Sequence, residues 1–392
     1  MKICRICKSE HVQIAFDFKK QPIVHDLLAS RNDKFNKFNF NIGICKECGF
    51  LQMLEYVIPE KLYTNYFTIS SWKPQPHATT FLEKIKRIFG VTRKSRVFEI
   101  GSNDGGFLAL LHSQGFENIL GIEPTEDAFQ AAIKKQRPTM RGFYGTNTIN
   151  EIVNVFPDPD LIVSRQVIEH IPDLDGFMCS IKEHLKLGGA LALEFPDHSM
   201  NYEELDYSFW EEHVNYFTIN TIRNLLFRHG FDIVHYESTL FSGKCLFIYA
   251  INSQKTEKEP FNADEKIAKR YIELFPKFKS DLHGFLAEKT KRRQAILYGC
   301  GARSCNFVNL LEIGHYFSRF VDDQPEKQSK VVPGYLLNIT DSSNLEKDDC
   351  VVLGVNTEYE YQVIQEHGLL DTFSILPPSS HLPDFWRNLQ RA

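Results

Sequence analysis

The sequence has no run of about 18 apolar residues, the length a membrane-spanning helix needs, so no membrane partner is expected. Its first residues, MKICRICKSEH, lack both the charged and the apolar stretch of a secretion signal, which makes the cytoplasm the expected compartment. Cysteine is sparse, with nine residues in 392. That is too few for a disulfide scaffold, and a reducing compartment leaves metal binding or nothing for the thiols. An excess of positive charge is missing too. The 45 Lys and Arg against 50 Asp and Glu give a net charge of -5 and a pI of about 6.3, which argues against nucleic acid as a partner. There is no internal repeat and no low-complexity tract.

What remains is ordinary globular usage, 43% hydrophobic, 24% charged and 13% aromatic with 32 Phe, which excludes disorder, collagen-like repeats and coiled coil. The length predicts two to four domains at roughly 100–200 residues each. Residues 1–75 hold four clustered cysteines and read as a small metal-stapled domain. Residues 76–252 begin with a helical run from His77 to Phe89. The strand patterns RVFEI, NILGIEP, DLIVSRQV and ALALEF then alternate with helical stretches, which predicts βαβ units and a mostly parallel sheet. NSQKTEKEPFNADEK reads as a linker into residues 253–392. There Ile267, Tyr271, Leu274, Phe278, Leu282 and Phe285 recur at helical spacing, with Pro276 an expected kink. QAILYGCGARSCNFVNLL, HYFSRFVDD and DDCVVLGVN repeat the strand and helix alternation, predicting a second, smaller Rossmann-like domain.

Cys4 and Cys7, then Cys45 and Cys48, form two CxxC knuckles, each able to present two thiolates to one tetrahedral ion. Gly49 follows the second knuckle, where a tight turn wants positive φ. Four thiolates close the coordination shell, so the expected ion is a structural Zn2+. A thioredoxin-like redox pair is the lesser alternative.

The run RVFEIGSNDGGFLALL is strand, glycine-rich turn and helix, with Gly101, Asp104, Gly105 and Gly106 at the turn. Glu123 lies 22 residues after Gly101 and is placed to accept ribose hydroxyls. The spacing suits either a dinucleotide or S-adenosylmethionine. The loop lacks a strict GxGxxG, and carboxylates at Glu99 and Asp104 repel a pyrophosphate but tolerate a sulfonium with an amino acid tail. EIGSNDGGFL, IEPT and VSRQVIEHIPD resemble the first, second and fourth motifs of class I S-adenosylmethionine-dependent methyltransferases. Glu99, Gly101, Asn103, Asp104, Gly105, Glu123 and Gln166 are the expected cofactor contacts.

The knuckles, QPIVHDLL, CKECGFLQ, EIGSNDGG, LEFPD, EEHVNYFT, YGCGA and VDDQPEKQ together resemble a three-part family, from Cys4 to about Asn356. These are the methyltransferases of nucleotide-linked deoxysugars, best known as sugar C-methyltransferases. The resemblance implies an α/β fold, a class I methyltransferase Rossmann-like core flanked by a small zinc-binding domain and a Rossmann-like carboxy-terminal domain. It implies S-adenosylmethionine as cofactor and a nucleotide sugar as small-molecule partner; monomer and dimer both stay open. The family's YHEHxSYF corresponds to FWEEHVNYF, so its Glu-His pair falls on Glu212 and His213, with imidazole as the base. Tyr66, Trp210, Tyr216 and Lys244 are the implied substrate contacts. Three departures gather where the acceptor binds. The family's AxNVLAH is SRQVIEH, which puts Gln166 in place of an Asn; its GGSLR is SGKCL; and Trp210 replaces a Tyr hydroxyl by an N–H donor. The accepting atom, carbon, oxygen or nitrogen, therefore stays open.

In LYGCGARSCN, Gly299 and Gly301 precede a helix and Asp322 lies 23 residues after Gly299, but Ser304 takes the third glycine position. A turn that positions the domain or touches acceptor phosphates is expected there before a nicotinamide site. His170 is expected on the adenosine side or as a structural residue, and Cys179, Cys245, Cys300, Cys305 and Cys350 as core thiols.

Overall fold

The computed structural model describes residues 2–62, 75–241, 243–253 and 261–391. Strands β1 (Val12–Pro22), β2 (Lys37–Cys45) and β3 (Leu51–Met53) form an antiparallel sheet behind the two knuckles. The helix His77–Phe89 follows, burying Ala78, Phe81, Leu82 and Ile85 at helical spacing and ending on left-handed Gly90.

Next come β4 (Val97–Ile100), β5 (Ile119–Glu123), β6 (Thr139–Arg141), β7 (Leu161–Arg165) and β8 (Ala190–Pro196), all parallel to one another. Every residue of β4 and β7 is buried, as strands covered by helices on both faces must be. The short β9 (Asn215–Tyr216) leaves this sheet and pairs with β3, Leu51 opposite Tyr216 and Gln52 opposite Asn215. The chain then returns with β10 (Phe231–Leu240) and β11 (Lys244–Asn252), an antiparallel hairpin on β8. The central order is β10-β11-β8-β7-β4-β5-β6.

The helix Glu265–Lys289 runs on through Pro276 and leads to β12 (Ala295–Tyr298), β13 (Phe317–Val321), β14 (Ile339–Thr340), β15 (Cys350–Leu353) and β16 (Asp371–Ser374). These form a parallel sheet in the order β14-β13-β12-β15-β16, with the first strand central as in Rossmann-like units. The expected linker, residues 252–266, lies partly outside the described residues.

One apolar cluster joins the amino-terminal sheet to the carboxy-terminal sheet by way of residues 202–216. Phe16 and Phe18 of β1 pack on Tyr207, Phe209 and Phe275, and the same cluster continues into Phe307 and Trp386 of the carboxy-terminal part. A second joins Cys4, Cys45 and Phe50 to the central sheet through Phe217. Among the described residues no helix is long and apolar enough to cross a membrane.

One sequence expectation is corrected. Cys179 is exposed, not a core thiol, because it falls on the outer face of the helix Leu174–His184, whose inner face carries Phe177, Met178 and Ile181. Its sulfur lies 3.9 Å from His229 Nδ1. Cys245, Cys300, Cys305 and Cys350 are buried.

Candidate active site

Cys4, Cys7, Cys45 and Cys48 bring their sulfurs within 4.8 Å of one another. The Cys4–Cys48 and Cys7–Cys45 separations are 3.6 and 3.5 Å, close to the roughly 3.8 Å edge of a tetrahedron with 2.3 Å Zn–S bonds. Gly49 has φ 72°, and its N–H bonds the Cys45 carbonyl, closing the second knuckle. Four thiols with so few other partners fit a closed structural zinc. The first knuckle reaches further through Arg5. Its backbone N–H donates to Gln52 Oε1 at 2.9 Å, and its guanidinium donates to the carbonyls of Val214 at 2.8 Å and Met53 at 2.7 Å.

The glycine loop after β4 is built from left-handed residues, Gly101 at φ 71°, Asn103 at 50° and Gly105 at 77°. A Cβ on Gly101 would lie 2.4 Å from Val167, so loop and β7 end touch only because glycine is there. Glu123 closes β5 and accepts from the backbone of Asn103 at 3.0 Å and of Thr125 at 2.8 Å. Burial pushes its pKa up against these donors. Asp104 caps the turn, accepting from Gly106 N–H and from Lys135. Glu99 is 3% exposed and its Oε2 has no hydrogen-bond partner. Burial, with Glu123, Asp104 and Glu194 nearby, outweighs Arg165 and lifts its pKa to about 8. An orphaned buried carboxyl group at the end of β4, beside this glycine loop, fits an ammonium-bearing ligand such as S-adenosylmethionine.

Beyond Val167 opens a cleft. Gln166 lines it at the end of β7, Asp197 and His198 after β8, and Trp210, His213 and Tyr216 in the segment that ends at β9. Lys244 of β11 and Arg303 of the carboxy-terminal domain complete it. Gln166, at φ 54°, donates to Glu194 Oε1 at 3.1 Å. The indole of Trp210 lies 4.2 Å from the His213 ring, and the Tyr216 hydroxyl donates to the Trp210 carbonyl. Lys244 is 3.7 Å from Asp197. Burial, with His170 beside it, pushes His213 well below the usual histidine range, so the imidazole is neutral.

Not every expected residue joins this group. Glu212 does not line the cleft; its carboxylate lies 3.2 Å from His25 Nδ1, which also reaches Glu211 at 3.0 Å. Burial would lower His25, but Glu211 and Glu212 carry it up to about 9. Tyr66 lies outside the described residues. Asp322 takes up Cys300 N–H and Lys327 within its own domain. His170 turns out to stand edge-on to His213, 4.8 Å between ring centres.

Sequence reasoning missed several groups. Glu194 of β8 is fully buried and bonded to Arg165 at 2.7 Å and His77 at 3.0 Å. Burial alone would raise it, yet Arg165 and His77 hold it down at about 2. Arg303 pairs with Asp206 and donates to the Pro377 carbonyl at 2.6 Å, tying the cleft wall to the carboxy-terminal domain. A charged residue inside an apolar strand, Glu194 in ALALEF, was the available signal.

Known proteins resemble this chain in three stretches. Residues 4–63 match the family described as "Putative zinc binding domain", residues 76–236 "Methyltransferase domain" and residues 252–368 "C-methyltransferase C-terminal domain". C-methyltransferase NovU of Streptomyces niveus is 21% identical over 360 residues, 84% of this chain and 83% of that protein. The ubiquinone biosynthesis O-methyltransferase of Rickettsia typhi is 30% identical over 111 residues, 28% of this chain and 44% of that protein. A solved S-adenosylmethionine-dependent methyltransferase from Clostridium acetobutylicum aligns with 47% of this chain and 95% of its own, at 12% identity and a TM-score of 0.38.

Proposed function

The chain belongs to the S-adenosylmethionine-dependent methyltransferases that carry a zinc-binding domain before the catalytic domain and a C-methyltransferase domain after it, and we propose that its acceptor is a nucleotide-activated sugar methylated at carbon. The observation that carries the reading is the cleft itself. His213 opens into it beside Gln166, and the next residue, Val167, packs on Gly101 of the cofactor loop. A base and a cofactor site therefore share one wall.

S-adenosylmethionine supplies an electrophilic methyl group when bound. Glu99 is placed for its ammonium, Glu123 for its ribose, and the backbone of Gly101, Asn103, Asp104 and Gly105 for close contact. On the acceptor side His213 removes the proton, Trp210 fixes the imidazole plane, and Tyr216, Gln166 and Lys244 orient the sugar. Glu212 acts through His25 in holding the segment, and Tyr66 is a further substrate contact in this reading. Carbon methylation requires a carbonyl next to the accepting carbon so that deprotonation leaves an enolate. The domain division 1–75, 76–252 and 253–392 and a cytoplasmic location, where thiols stay reduced for zinc, belong to the same reading.

The stretch shared with an O-methyltransferase supports a second reading, transfer to oxygen or nitrogen of a sugar or small metabolite. Mass spectrometry after incubation with a deuterium-methyl donor and a panel of nucleotide keto-sugars and reduced sugars separates the two. Methylation of a sugar without a keto group overturns the carbon reading.

A further inference from the structure

Resting on His213 as the base, we propose that Glu169, His170 and His213 act as one proton-accepting unit, in which His213 meets the acceptor and Glu169 is the buried positioning residue that balances its charge. Their facing side-chain atoms all lie within 4.8 Å of one another. His170 Nδ1 is 3.0 Å from the Glu212 carbonyl oxygen, which can only accept, so Nδ1 carries the hydrogen and Nε2 is an acceptor. Glu169 Oε1 lies 3.9 Å from Nε2. Glu169 is 2% exposed, and neither carboxylate oxygen has a donor from another residue. Glu169 thus faces an accepting ring nitrogen of His170, beside the His213 ring, which can present either tautomer. Such a group binds a cation, because an unpaired buried carboxylate is costly.

The reaction delivers one. The bond between the acceptor atom and its hydrogen breaks, the electron pair stays on the acceptor, and the proton forms an N–H on His213. The carboxylate then faces an imidazolium, and the proton passes to water when product leaves. The other charged groups around the cleft already have opposite partners. Glu211 and Glu212 have His25, Glu194 has Arg165 and His77, Asp197 has Lys244, and Asp206 has Arg303. Arg5 is engaged by the Val214 carbonyl. Burial disfavours the charged form of each, driving Glu169 up and His213 down, and an imidazolium facing the carboxylate offsets both.

Glu169→Gln keeps the shape and removes the charge. Uptake of solvent deuterium into a nucleotide keto-sugar, followed against pH without methyl donor, is expected to slow by about 10- to 100-fold, with its acidic limb moved down by more than about one pH unit. Donor affinity by calorimetry stays unchanged. A rate and limb equal to wild type, while His213→Ala abolishes exchange, overturns the role of Glu169 and leaves the base standing. Exchange that survives in His213→Ala removes the base itself, a different result. A second metal ion per chain, lost in Glu169→Gln, also overturns the proposal, since the cation would then be a metal. Should the variant not fold, NMR titration of ring-labelled histidine in the unaltered protein decides. An apparent His213 pKa at or above the ordinary histidine value supports the unit, and one well below it refutes it.

Discussion

Replacing Arg5 by alanine asks whether the zinc knuckle sets the geometry of the base. Arg5 sits between Cys4 and Cys7, and its guanidinium holds the Val214 and Met53 carbonyls at 2.8 and 2.7 Å. Val214 is the residue after His213 and runs into β9. Hydrogen bonds to a charged group contribute about 1.5–3 kcal/mol each, so the truncation removes roughly 3–6 kcal/mol of local attachment, less whatever water returns to the carbonyls. Other ties remain. Met53 N–H still donates to the Val214 carbonyl, Val214 N–H to the Glu169 carbonyl, and Val24 N–H and Asn306 to Glu211. The chain should therefore stay folded while the His213 segment loosens. A displacement near 1 Å at a reacting group costs about 10²-fold, so turnover is expected to fall about 100-fold with donor affinity within about twofold of wild type. Steady-state kinetics, donor calorimetry and thermal melting on one preparation make the assay. Unchanged turnover refutes the coupling, and a parallel loss of donor binding shows that the damage is global.

Stripping the zinc with a strong chelator should lower both melting temperature and turnover, because structural zinc contributes folding energy outright; metal analysis showing intact activity at zero zinc refutes it. Glu123→Ala should weaken donor binding at least tenfold by losing charge-assisted bonds and freeing the Asn103 backbone it holds, and unchanged calorimetric affinity moves the cofactor site elsewhere. Glu194 is held down at about 2 from an ordinary 4.5, so its contribution, roughly 3 kcal/mol, is present above pH 4.5 and lost as pH falls toward 2. Acid unfolding of Glu194→Gln should lack that component, and an identical acid profile refutes the assignment. Limited alkylation of the native protein should label Cys179 before Cys245, Cys300, Cys305 or Cys350; peptide mapping that finds a buried thiol first contradicts the burial pattern.

The parallel strands, both glycine turns and the paired knuckles were legible because each is written locally. A short, mostly apolar strand, then glycine, then a helix is a pattern that survives without knowledge of the rest. The roles of Glu212 and His170 were not. They differ by which way adjacent side chains turn in an irregular segment, and that is decided by partners far off in sequence, His25 for Glu212 and the Glu212 carbonyl for His170. Arg303 was hidden for the same reason, since its partner Asp206 lies 97 residues away. Cys179 was misread because a lone cysteine carries no period, and only the helix phase turns it outward.

These distant partners converge on one segment. Between Asp206 and Tyr216 the chain is held by Arg303 and Asn306 from the carboxy-terminal domain, by Val24, His25 and Arg5 from the zinc domain, and by Glu169 of the methyltransferase core. The glycine loop, by contrast, is held within its own domain through Glu123, Ile122 and Lys135. Changes at the two outer domains should therefore act on turnover and leave donor affinity alone, whereas changes in the loop should do the reverse. If a substitution such as Asn306→Ala, made in the carboxy-terminal domain, weakened donor binding as much as it slowed turnover, the two sites would have to communicate through a path other than this segment.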